Sequence, residues 1–71
     1  MMRLSLAPIG EINPVKAIWV EDTIRAILEE VGLTVDCEVC IVLKPYDDAF
    51  IVGVKDKRIA IGEEIARRII V

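Results

Sequence analysis

Apolar positions along the chain follow two different periods, and the change between them marks the elements. From about Thr23 to Val31, the residues Ile24, Ile27, Leu28 and Val31 fall at i, i+3, i+4 and i+7. That spacing gathers them on one stripe and predicts an amphipathic helix. Asp22 stands where an N-cap carboxylate can accept from first-turn N–H groups. Gly32 is the expected stop, free to take positive φ, with Leu33 packing back on Leu28. Arg25, Glu29 and Glu30 fall on the predicted solvent side.

Elsewhere the pattern is that of short strands. Phe50–Val54 and Arg58–Ile61 are β-branched or apolar runs around Lys55-Asp56-Lys57, and they predict an antiparallel hairpin with a charged turn. Gly62 breaks the second run. Glu63-Glu64-Ile65-Ala66 then holds about one helical turn, its acids placed where a helix dipole favours them, and Ile69–Val71 closes the chain as a last strand. Upstream, Val15–Val20 reads as a strand with Ile18 and Val20 on one face and Ala17 and Trp19 on the other. Glu38–Leu43 reads as another, with Val39, Ile41 and Leu43 on one face and Cys40 and Val42 on the second. A strand apolar on both sides implies either a closed barrel or contact with another chain. The first twelve residues contain Pro8 and Gly10, and Asn13-Pro14 follows, which predicts an irregular arm with turns at both sites, pinned by Leu4, Leu6 and Ile9. Thr34–Asp36 and Lys44–Asp48 supply the remaining turn and loop.

The expected order is therefore arm, strand, helix, three strands, one-turn helix, strand. Five strands this short leave exposed edges in an open sheet, and curling into a partly open barrel removes most of that exposure. The 71 residues form one domain, 1–71, whose single core supplies a net stability of about 3–5 kcal/mol. Only Trp19, Tyr46 and Phe50 are aromatic, so that core is built from Ile, Val, Leu and Ala.

Charge and chemistry narrow the function. Nine basic and twelve acidic residues give a net charge of −3, the opposite of the dense basic footprint a phosphate-backbone binder needs, so no nucleic-acid partner is expected. The basic residues nevertheless gather late, at Lys55, Lys57, Arg58, Arg67 and Arg68, while Glu21, Asp22, Glu29 and Glu30 sit earlier. No run reaches the roughly 20 apolar residues that span a bilayer, and the N-terminus lacks a secretory h-region, so a cytoplasmic protein without membrane insertion is expected.

With no histidine, one serine (Ser5) and four isolated glycines, neither a hydrolytic triad nor a phosphate-binding loop can be assembled. No enzyme and no cofactor are expected. Cys37 and Cys40 are the remaining metal or redox candidates. In an extended strand residues three apart face opposite sides, which suits Cys40 as a small core residue and Cys37 at the strand edge.

Four ordered segments carry a family resemblance: Leu6-Ala-Pro-Ile-Gly10, Leu28-Glu-Glu-Val-Gly-Leu33, Glu38-Val-Cys-Ile-Val42, and Arg58 to Val71. Over nearly its whole length the chain resembles the ferrous iron transport protein A family, FeoA. The resemblance implies a five-stranded SH3-like barrel, mainly β, with the helix between the first and second strands and the one-turn helix before the last. It implies a small cytoplasmic accessory protein of ferrous iron uptake, associated with transition metals, that acts as an interaction module for the FeoB-type permease through that permease's cytosolic G-protein domain or membrane domain. The contact residues expected are Gly32, Leu33, Thr34, Val35 and Asp36 after the helix, with Tyr46 and Trp19 as aromatic anchors. Where family members commonly carry Pro-Gly this chain has Val35-Asp36, and Asp tolerates a left-handed turn. The alternative is a stand-alone regulatory or sensor domain, since the same small barrel resembles the C-terminal domain of iron-dependent repressors. Self-association into a homo-oligomer is compatible with both readings.

Overall fold

The computed structural model describes residues 1–71. A 3-10 turn at Leu4–Leu6 leads into β1 (Ile12–Pro14) and β2 (Ala17–Ile18), then helix α1 (Asp22–Glu30). Strands β3 (Glu38–Tyr46), β4 (Ala49–Val54) and β5 (Lys57–Gly62) follow, then α2 (Glu63–Ala66) and β6 (Ile69–Ile70). One antiparallel sheet has the order β1-β3-β4-β5, and β2 pairs with β6 in a second. The chain is thus mainly β with one principal helix, placed as expected between the early strands and the β3-β4-β5 meander.

The strand expected at Val15–Val20 is present only as the two-residue β2, and the residues just before it form a corner between the two sheets. Pro14 ends β1, having no N–H to donate. Val15 then donates to the Cys37 carbonyl and accepts from Asp36 N–H, both at 2.8 Å, and Lys16 N–H already turns to the Ile70 carbonyl at 2.7 Å. One fully buried residue, Val15, carries the chain from one sheet to the other. The N-terminal arm is also more regular than expected. Met2 and Val71 exchange both backbone hydrogen bonds at 2.8 Å, and Arg3 bridges Ile70, so β6 lies between the arm and β2. Leu4 anchors the arm in the core together with Ala7, whereas Leu6 and Ile9, expected to do so, are exposed.

Helix α1 ends as its sequence predicts. Leu33 N–H donates to the Leu28 carbonyl at 2.9 Å and Gly32 N–H to the Glu29 carbonyl at 3.0 Å, with Gly32 at φ +88. These two bonds make a Schellman motif, and both leucines it joins are buried in the common core. Asp36 takes φ +76, the left-handed conformation its side chain tolerates. At the other end Glu21 is the N-cap and makes no side-chain cap bond, with Asp22 already the first helical residue. Two residues change sides relative to expectation. Ile27 is exposed, while Arg25 is half-buried and donates from Nη2 to the Ile18 carbonyl at 2.6 Å, tying the helix to β2.

Strand β3 is longer than expected and reaches Tyr46, leaving Asp47-Asp48 as the hairpin turn. Its register against β4 slips twice. Ile41 pairs with Val52 but Leu43 pairs with Ile51, and Tyr46 pairs with Ala49. Each slip inserts an extra residue, and side-chain alternation reverses at a bulge. Leu43 is therefore 45% exposed, although Val39 and Ile41 on its expected face are buried. Pro45 sits in the second irregular step, where the missing donor costs no ladder bond. The β4-β5 hairpin turns on Lys55-Asp56 alone, since Lys57 already pairs with Val54.

Fifteen apolar residues form one core, drawn from Leu, Ile, Val and Ala with Phe50 its single aromatic. No polar or charged residue is buried. Ala66 of α2 and Ile69 of β6 belong to this core, both fully buried.

Candidate docking surface

The expected contact residues do not form one patch. The loop after α1 lies at the Val54 end of β4, because the Lys55 side chain runs along Gly32 with its Cδ and Cε each 3.4 Å from the position a Gly32 Cβ would take. Thr34 is half-buried there, Val35 and Asp36 are exposed, and Leu33 is fully buried beneath them as part of the core. Tyr46, the last residue of β3, is 73% exposed beside its partner Ala49 at the opposite end of β4. Five residues of extended chain separate the two ends by about 17 Å.

Trp19 is the third candidate, and it is 66% exposed. Its backbone is fixed by a 2.9 Å bond from its N–H to the Arg68 carbonyl, one step beyond the pairing of Ile18 with Ile69. An indole exposed on a firmly held backbone is a pre-organised contact rather than a mobile one. On one side it borders a depression of about 440 Å³ with Val20, Ile24 and Ile65 as apolar lining and Glu21, Glu64 and Arg68 as polar lining. On the other side a depression of about 270 Å³ is bordered by Arg3, Arg67, Arg68 and Ile70. Trp19 is the ridge between them. Arg67 pairs with Glu64 at 2.8 Å, an exposed i,i+3 ion pair of small energetic value.

The neighbours of Trp19 were not apparent from sequence. Arg3 reaches the site because the arm pairs with β6, a contact between opposite ends of the chain. Arg67 and Arg68 belong to the late basic cluster, which the fold divides between the hairpin around Lys55 and the end of α2.

The cysteines have their environments exchanged relative to expectation. Cys37 is the one packed against the core, while Cys40 lies on the other face of β3, paired with Ile12 and Gly53. Both are free thiols. Cys37 and Cys40 line a depression of about 330 Å³ with Glu38, Lys55 and Ile12, and no group of three or more Cys, His, Asp or Glu side chains is placed to hold a metal ion. The donor set of a structural or catalytic transition-metal site needs at least three protein ligands, so these residues do not fit one. No helix is long and apolar enough to cross a membrane.

Comparison with solved structures finds the same fold. FeoA from Chlorobium tepidum matches with a TM-score of 0.90 at 21% identity, over 97% of this chain and 67% of that one. FeoA from Stenotrophomonas maltophilia, solved with zinc and described as a prokaryotic SH3 domain protein, matches with a TM-score of 0.81 at 28% identity, over 99% and 88%. A manganese-dependent transcriptional repressor shares the fold with a TM-score of 0.83 at 14% identity, over 94% of this chain and 38% of that one. A search of curated proteins finds no match. The family model for the FeoA domain matches residues 2–71, and with the SH3-like barrel in place the chain belongs to the FeoA family.

Proposed function

We propose that this protein is a non-enzymatic, cytoplasmic accessory of ferrous iron uptake that docks on the FeoB-type permease. The observation that carries the reading is the match of the FeoA domain model over residues 2–71. The structure supports it chemically. The surface depressions are open to solvent, two of them mostly apolar in lining and one bordered by three arginines, the donor set does not fit a metal, and the side chains offered to a partner include two exposed aromatics, Trp19 and Tyr46. Tyr and Trp are over-represented among the residues that dominate binding energy in protein interfaces. The relative from Stenotrophomonas maltophilia is itself described in terms of activating ferrous iron transport. A titration against the permease's cytosolic region in its nucleotide-free, GDP and GTP states tests the reading. Saturable binding in at least one state is expected, and no binding in any of them would overturn it.

A second reading has a specific observation behind it. The likeness to a metal-dependent repressor covers 94% of this chain, which suits a stand-alone regulatory domain acting beside a separate DNA-binding protein. Its test is the converse experiment, in which the chain binds a repressor's DNA-binding portion and ignores the permease.

A further inference from the structure

We propose that the Trp19 ridge is a binding site for an acidic peptide segment, whose carboxylates sit among Arg3, Arg67 and Arg68 while a neighbouring apolar side chain enters the depression lined by Val20, Ile24 and Ile65. The partner's source rests on the docking reading above; the binding chemistry does not. Three arginines line one small depression in a protein whose net charge is −3, so the basic character is local. Arg67 is engaged by Glu64, whereas Arg3 and Arg68 make no side-chain hydrogen bond or ion pair. Each therefore offers a planar fork of donors that matches a carboxylate.

The geometry is set by backbone. Arg3 bridges Ile70 on one side of β6, and Trp19 bonds Arg68 on the other. Arg3, Trp19 and Arg68 are thus held by backbone on or beside one short strand, so binding has only their side chains to order. The mixed lining selects among anions. A free phosphate would engage the arginines and leave the apolar depression empty. An anionic bilayer would meet Glu21 and Glu64, which border that depression, along with Asp22 at the start of α1. A peptide alternating acidic and apolar residues uses both sides of Trp19 and approaches the acids only with its apolar part.

Trp19 is the sole tryptophan, so its emission reports the site directly. The full chain is titrated with a soluble peptide carrying glutamate pairs flanked by leucine, with the lysine counterpart of that peptide, with inorganic phosphate and with phosphatidylserine vesicles. The acidic peptide is expected to shift Trp19 emission to the blue in a saturable way. Affinity should fall about tenfold in Arg3→Glu or Arg68→Glu, and similarly at high salt, because exposed charge pairs are screened. Arg3→Gln and Arg68→Gln, milder changes at exposed positions, should show smaller losses in the same order, with circular dichroism confirming the fold.

The proposal is overturned if the acidic peptide produces no shift or if the lysine peptide matches it. Saturation by phosphate alone would make this an anion site, and saturation by vesicles a membrane contact; either overturns it. If the peptide binds but the permease's cytosolic region does not, the docking reading falls and the peptide site stands. If the permease binds wild-type and charge-reversed chains equally while the acidic peptide gives no shift, the site falls and docking stands.

Discussion

The side chain of Lys55 lies along Gly32, its Cδ and Cε each 3.4 Å from the point a Cβ on that glycine would occupy. The turn of one hairpin thereby covers the end of the helix, and the lysine's charge lies near the C-terminal carbonyls of α1, where a cation is favoured.

Gly32→Ala meets this contact and the positive φ together. The left-handed conformation alone costs about 1–2 kcal/mol for a residue with a Cβ, a large share of the stability of so small a domain. Urea unfolding should show that loss, and Gly32→Asn should lose less, because Asn adopts the conformation more readily.

Helix α1 is held to β2 by the bond from Arg25 Nη2 to the Ile18 carbonyl at 2.6 Å. Removing a charged donor from a half-buried acceptor costs about 1.5–3 kcal/mol, and Arg25→Ala should show a loss at the lower end of that range. Glu29→Ala, on the exposed face of the same helix, should change stability by less than about 0.5 kcal/mol. Equal effects of the two substitutions would mean that the bond carries no weight.

Core and surface aromatics should separate cleanly. Phe50 is 1% exposed and Trp19 is 66% exposed. Phe50→Ala leaves a cavity worth about 3–5 kcal/mol, comparable with the whole net stability, and should leave the chain unfolded. Trp19→Ala should preserve the melting transition to within a few degrees.

Legibility from sequence followed the range of the interactions. The end of α1 was readable because its signals, Leu28, Gly32 and Leu33, lie within six residues and each acts locally. The left-handed turn at Asp36 was readable only through the family resemblance, because Asp36 stands where members commonly carry glycine. Leu43 was misplaced because the bulge that reverses alternation depends on the register against Ile51 and Val52, which a strand pattern does not encode. The two-sheet corner at Val15 required knowing that Cys37 and Ile70 stand on either side of it. Leu6 and Ile9 were expected to pin the arm by their hydrophobicity, yet the arm is held by backbone pairing of Met2 and Arg3 with the last strand. At the candidate site Trp19 itself could be named, whereas Arg3 could not, since its place beside Arg68 is a contact between the two ends of the chain.

The cysteines make a further prediction. Cys37 packs against the core and Cys40 does not, so Cys37→Ser should cost about 1 kcal/mol or more through burial of a hydroxyl, and Cys40→Ser distinctly less. Zinc and ferrous ion titrations of the double variant should match those of the wild type. A loss of binding in the double variant would restore the thiolates as ligands.

In its proposed role this FeoA-family barrel presents a surface to a protein partner, with Trp19 as its anchor. The most direct measurement is the affinity of the permease's cytosolic region for wild-type chain and for Trp19→Ala, with both folded. Truncation of a central aromatic anchor costs about 2 kcal/mol or more, so the account predicts a loss of affinity of at least about thirtyfold with an unchanged melting temperature. Equal affinities for the two proteins would contradict it.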